Sequence, residues 1–214
     1  MTEHIIVDSH CHLDFPDFDG EIPDLVARAN DAGVKRMVTI CTKLKNEPSV
    51  RKIAEEHEAV YYAAGTHPMS AASEPLASVD QLIEISQHPK MVGIGETGLD
   101  YHYTAESAEI QKTSLKIHIE AARETNLPLI IHSRAADEDM AAILKDEFKK
   151  YNIEMEDDWK LIKLYPNNLK YPFVDYETPH QLWPCDKKRL LFPMAWQLTL
   201  ENQSIPIRQY FWGY

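Results

Sequence analysis

The chain has 214 residues, 44% apolar and 26% charged, the balance of one soluble domain or a small barrel, which excludes a disordered chain, a collagen-like repeat and a disulfide scaffold. No run approaches about 18 uncharged apolar residues, so no membrane-spanning helix is predicted, and the start of the chain lacks the basic-then-apolar pattern of a secretory signal. A net charge of −12 argues against holding nucleic acid by a broad basic surface, but not against an enzyme that meets phosphates through bound cations.

The first 150 residues repeat one alternation, a short apolar run followed by a helical segment. A strand over 5–7 leads into Asp8-Ser9-His10-Cys11-His12, and 23–33 reads as a helix with Pro23 near its start and Gly33 just past its end. Strands are predicted over 36–41, 60–64, 91–95 and 129–131, and helices over 48–58, 78–88, 107–125 and 138–149. The third strand ends in Gly65-Thr66-His67-Pro68, the fourth in Glu96-Thr97-Gly98-Leu99-Asp100, and the fifth in His132-Ser133-Arg134. In the long helix, Ala108, Leu115, Ile119 and Ala122 fall on one apolar face.

Unbroken apolar strands joined by crossover helices predict a parallel sheet. Five units of about 30 residues suit a TIM-type (β/α) barrel, with function at the C-terminal ends of its strands. An open doubly wound sheet is less favoured, because no glycine-rich phosphate loop follows the first strand.

After Lys150 the pattern stops. All four tryptophans (Trp159, Trp183, Trp196, Trp212) and six of thirteen prolines lie there, with one of seven glycines. Residues 151–214 carry 7 basic and 8 acidic groups, so nearly all the excess acid lies in residues 1–150. Three further units would need about 90 residues, and 64 remain. The expected organisation is therefore a partial barrel over 1–150, truncated after five β/α units, and a C-terminal segment over 151–214 of foreign character, from a shifted reading frame or a fusion. Three sparse cysteines (Cys11, Cys41, Cys185) suit a reducing cytoplasm.

His10-Cys11-His12 is the strongest single signal. Residues i and i+2 of a strand share a side, so the two imidazoles converge and Cys11 faces away into packing. Paired neutral imidazoles bind divalent transition metals well. Glu96 and His132 each end an apolar strand run, which in a barrel raises them at the same rim. A carboxylate there can bridge two cations and a further histidine can hold the second, the arrangement of two-metal ester hydrolysis. Taken singly, Glu96 could cap the next turn and His132 could be a hydrogen-bonded core histidine.

Asp8-Ser9-His10-Cys11-His12-Leu13-Asp14, Gly65-Thr66-His67-Pro68, Gly93-Ile94-Gly95-Glu96-Thr97-Gly98-Leu99-Asp100-Tyr101 and Leu129-Ile130-Ile131-His132-Ser133-Arg134 together resemble the motifs of TatD-type metal-dependent deoxyribonucleases, in order and in spacing, over about residues 5–150. The resemblance implies a TIM-barrel hydrolase of the amidohydrolase kind that cleaves DNA phosphodiester bonds with two divalent cations (Mg, Mn or Zn). It assigns His10 and His12 to one cation, Glu96 to the bridge and His132 to the other. DNA is then the substrate, contacted through its phosphates without base readout.

Two later motifs of the family, a His-Cys-Phe strand end and a Glu-Thr-Asp strand end whose Asp is a ligand and water-orienting base, do not occur here; after Lys150 the one histidine is His180, with Pro179 where the Asp would stand. Weak hydrolysis is the expectation. The alternatives are a non-catalytic fragment keeping a partial metal site, and a sister amidohydrolase acting on a lactone, amide or phosphotriester. The absence of lysine at the Glu96 strand end counts against a carbamate-bridged site. His67 and Arg134 are candidate substrate contacts, the one set against a turn histidine and the other against a solvated helix start. Asp100 and Tyr101 are candidates to order the surroundings of Glu96 or to shape the loop. His118 is given no functional weight.

Overall fold

The computed structural model describes residues 6–150 and the backbone of 170–171, 174–175, 191–200 and 203–212. The apolar runs form the strands β1 (Ile6–Cys11), β2 (Val34–Cys41), β3 (Val60–Ala64), β4 (Met91–Asp100) and β5 (Leu129–Arg134). They lie side by side in sequence order, all parallel. The helices α1 (Ile22–Asp31), α2 (Glu47–Glu56), α3 (Val79–Ser86) and α4 (Ala108–Thr125) make the crossovers, and α5 (Asp137–Lys150) follows β5. This is the α/β architecture of a TIM-type barrel, five strands of it in a curled sheet.

Local signals set the helix ends. Pro23 opens α1 and Gly33, at φ +93°, follows it. The Ser78 hydroxyl accepts from the Gln81 N–H at the start of α3. Asn126, left-handed at φ 56°, ends α4.

Period-two alternation divides the core. Met37, Cys41, Tyr62, Leu129 and Ile131 pack outward with Leu115, Ala122 and Met140 of the helices, while Val38, Ile40, Ala63 and Ile130 form a smaller inner cluster. His132 follows Ile130 by two residues and so continues that inner face towards the C-terminal rim.

β4 runs five residues beyond its predicted end. Gly95 and Gly98 punctuate the sequence like a strand break, yet they let the neighbouring backbones close in: a Cβ on Gly95 would overlap the Ile130 carbonyl oxygen. The strand thereby carries Glu96 and Asp100 across the rim beside β5, with Gly98 opposite His132 and Asp100 opposite Arg134.

Beyond α5, β6 (Lys170–Tyr171) and β7 (Val174–Asp175) form a separate two-stranded ladder. β8 (Leu191–Leu200) and β9 (Gln203–Trp212) form an antiparallel hairpin, and β9 pairs in parallel with β5 through Ile207–Tyr210. β9 thus covers the edge of β5 over that stretch. The readings of Trp159, Trp183, Pro179, His180 and Cys185 lie outside the described residues. Among the described residues, no helix is long and apolar enough to cross a membrane.

Candidate metal centre

The sequence-predicted residues meet at the C-terminal rim. Ligand atoms of His10, His12 and Glu96 all lie within 4.8 Å of one another, and so do those of His67, Glu96 and His132. Glu96 belongs to both sets. Its Oε2 stands 3.4 Å from His10 Nε2 and its Oε1 3.3 Å from His132 Nδ1.

His12 and His132 are each oriented by a partner on the far side of the ring. His12 Nδ1–H donates to the Ile40 carbonyl at 3.2 Å, which leaves Nε2 as the lone-pair atom. Its ring packs edge-on to His10, with centroids 5.0 Å apart, and stacks on Phe15. Cys11 points the other way, its thiol donating to the Val38 carbonyl, in keeping with a packing role. His132 Nε2–H donates to Asp100 Oδ2 at 3.0 Å, so its Nδ1 lone pair faces the site. The carboxylate behind the histidine fixes tautomer and ring plane, as outer partners of metal-ligating histidines do. Asp100 therefore acts on His132 rather than around Glu96. Tyr101 is turned elsewhere, its hydroxyl donating to Asp139 of α5 at 2.7 Å.

His67 is unlike the others. Its Nδ1 accepts from the Met69 N–H at 3.2 Å, so the ring proton sits on Nε2, which donates to His132 Nδ1 at 3.1 Å. It thus presents a donor to the site, not a lone pair. Arg134, the last residue of β5, lies over the Tyr103 ring, 4.7 Å from its centroid; it is in neither ligand set.

The charge states suit a cation. Burial alone would raise Glu96, which is 1% exposed, but the imidazoles of His10, His132 and His67 around it hold its carboxyl well below the usual range. Burial, followed by the neighbouring His10, depresses His12 and keeps it neutral, the form that binds metal. With the ring proton of His132 committed to Asp100, its Nδ1 and Glu96 Oε1 turn lone pairs towards each other across 3.3 Å. A cation between them turns that repulsion into ligation, so the donor set fits a metal.

His118, given no weight from sequence, proves structural to the site. It is fully buried on α4; Nδ1–H donates to the Ser114 carbonyl at 2.8 Å and Nε2 accepts the Thr66 N–H at 3.0 Å. It thereby pins the backbone next to His67. Burial lowers its pKa from 6.5 to about 4. Between those values the unfolded chain binds the proton and the native chain does not. Stability from this group is therefore full above pH 6.5, falls as pH drops towards 4, and levels off below, an expected loss of about 3 kcal/mol. Urea unfolding at pH 7, 5.5 and 4 checks this, with His118→Gln, which cannot titrate, showing the shallower dependence.

A curled parallel sheet with imidazoles gathered around a shared carboxylate at its C-terminal rim is the arrangement of barrel-type metal-dependent hydrolases. The family profile described as "TatD related DNase" matches residues 7–155, and the chain belongs to that family. It is 36% identical over 143 residues to the "uncharacterized metal-dependent hydrolase YabD" of Bacillus subtilis, covering 67% of this chain and 56% of the relative. It is 32% identical over 122 residues to the "3'-5' ssDNA/RNA exonuclease TatD" of Shigella flexneri, covering 57% and 47%. The crystal structure of the TatD homologue YJJV of Escherichia coli superposes with a TM-score of 0.61 at 33% identity, covering 66% of this chain and 55% of that one. The chain spans about half the length of the relatives it matches.

Proposed function

We propose that residues 1–150 form the hydrolase unit of this chain, that it acts on DNA phosphodiester bonds in the cytoplasm, and that residues 151–214 are a separate segment. The observation that carries the reading is Glu96 standing in two ligand sets at once. His10, His12 and Glu96 would hold one divalent cation, and Glu96 with His132 the other. When bound, such cations polarise the phosphodiester and lower the pKa of a water to near neutrality.

The chain's own groups do the rest. Glu96, held as a carboxylate, balances the positive charge in a buried site. Asp100 keeps His132 aimed at Glu96. His67 offers Nε2–H to a phosphate oxygen, and Arg134 supplies a planar fork for a neighbouring phosphate. The name of the Shigella relative, an exonuclease for single-stranded DNA and RNA, supports a nucleic-acid substrate for this site.

Neither Glu96 nor Asp100 is left over to accept a proton from water: Glu96 faces the ligand sets, and both Asp100 oxygens are engaged, Oδ2 with His132 and Oδ1 with the His102 and Tyr103 amides. The sequence lacks the Glu-Thr-Asp strand end that would supply another carboxylate. General-base assistance is typically worth 10²- to 10⁴-fold, so hydrolysis is expected to be weak. The same observation favours, as second reading, a metal-binding fragment without turnover.

The test is cleavage of end-labelled single-stranded DNA with added Mn²⁺ or Mg²⁺. Slow cleavage abolished by EDTA is the expected result. Bound metal without cleavage selects the second reading. Turnover of a lactone or phosphotriester but not of DNA contradicts the nuclease assignment.

A further inference from the structure

Gln111 stands outside both ligand sets, on the buried face of α4, and is fully enclosed. Its Oε1 accepts the Asp100 N–H at 2.8 Å. Its amide nitrogen shares its two N–H groups among four acceptors, the Thr104 carbonyl at 2.7 Å, the Ser107 hydroxyl at 2.8 Å, the Thr104 hydroxyl at 2.9 Å and the Asp100 carbonyl at 3.3 Å. One side chain thus closes the whole connection from the end of β4 to the start of α4.

What hangs from that connection is the Asp100 carboxylate. Oδ1 accepts the amides of His102 and Tyr103 at 3.0 and 2.8 Å, and Oδ2 accepts His132 Nε2–H. Gln111 binds the Asp100 backbone on both sides of its Cα, so it sets where the carboxylate points. The carboxylate in turn sets which nitrogen of His132 carries the proton and where the other one aims. A buried amide with all its polar atoms satisfied is a rigid fixture, because any departure leaves donors unpaired away from water.

We propose that Gln111 is the positioning residue for His132, acting through Asp100 to hold Nδ1 against Glu96. The inference rests on the metal reading above and extends it to a residue that touches no cation. A loop-bracing role alone would weaken the fold without singling out one ligand set. A positioning role weakens the cation at His132 and spares the one at His10 and His12.

The experiment is calorimetric titration of the full chain with Mn²⁺ alone, with His132→Ala identifying the binding step that depends on His132. Gln111→Met fills the same volume and deletes every one of these hydrogen bonds. It is expected to weaken the His132-dependent step 10- to 100-fold, the usual effect of an outer-shell change, and to leave the other step within twofold. Gln111→Glu keeps the acceptor for the Asp100 N–H and loses the donors. It is expected to fall between, and it carries the test if Gln111→Met does not fold. Equal weakening of both steps, or no change in either, overturns the proposal and leaves the metal reading standing. Absence of Mn²⁺ binding by the unmodified chain overturns both.

Discussion

Replacing Glu96 with glutamine is expected to lower metal-dependent hydrolysis about 10³-fold or more, relative to whatever turnover the unmodified chain shows. Glutamine keeps the shape and loses the charge. Both ligand sets use this carboxylate, so the substitution removes the only anion they share and leaves His10, His12, His67 and His132 around a neutral amide. Metal stabilisation of transition-state charge amounts to several kcal/mol, and each 1.4 kcal/mol is a factor of ten in rate. The comparison requires single-turnover cleavage by both proteins, with near-UV circular dichroism to establish that the fold is unchanged. A loss of less than tenfold would remove Glu96 from the centre of the account.

Gly98→Ala is expected to cost about 4 kcal/mol of stability, out of the 5–15 kcal/mol typical of a domain. Gly98 adopts φ +146°, which side chains rarely tolerate, and a Cβ there would overlap the backbone carbonyl oxygen of His132. Backbone cannot swing aside as a side-chain tip can. The β4–β5 ladder must part at the residue that carries the second histidine, so the substitution strikes fold and site together. Gly93→Ala is the control. Its new methyl would meet the Cδ1 of Ile130 at 3.0 Å, a movable atom, and Gly93 has no such backbone conformation. About 1 kcal/mol is expected there. Urea denaturation of the two variants measures the difference, and equal costs would contradict the close approach of β4 to β5.

The strands β2 to β5 were legible because each is a largely buried apolar run, and β1, whose Ile6 and Val7 are exposed, because its apolar run leads into the paired histidines; the rim residues stand out because they end those runs. His10 and His12 share a side through the strand's own period, and Glu96 and His132 come to one mouth once the strands are parallel. Other features depend on tertiary register. That Asp100 serves His132 follows from the pairing of Gly98 with His132 and Asp100 with Arg134, which no local pattern announces.

The glycines of β4 mislead for a related reason. They read as a strand end, yet here they admit neighbouring backbone. Gln111 and His118 were passed over because polar residues on a helix default to its solvated face. One signal was present: they lie seven apart, two turns, and flank the apolar stripe at Leu115 and Ala122. The pairing of β9 with β5 was obscured by Pro193 and Pro206, which read as breakers. Pro193 falls on the outer strand β8, and Pro206 lies just before β9 meets β5.

The account stands on one carboxylate shared between two sets of imidazoles. Anomalous diffraction from crystals grown with Mn²⁺, on the unmodified chain and on Glu96→Gln, addresses it most directly. Two peaks about 3.5–4 Å apart flanking Glu96 in the first, and neither in the second, are predicted. An unmodified chain with no peak in reach of Glu96, or two peaks that persist without its charge, would contradict it.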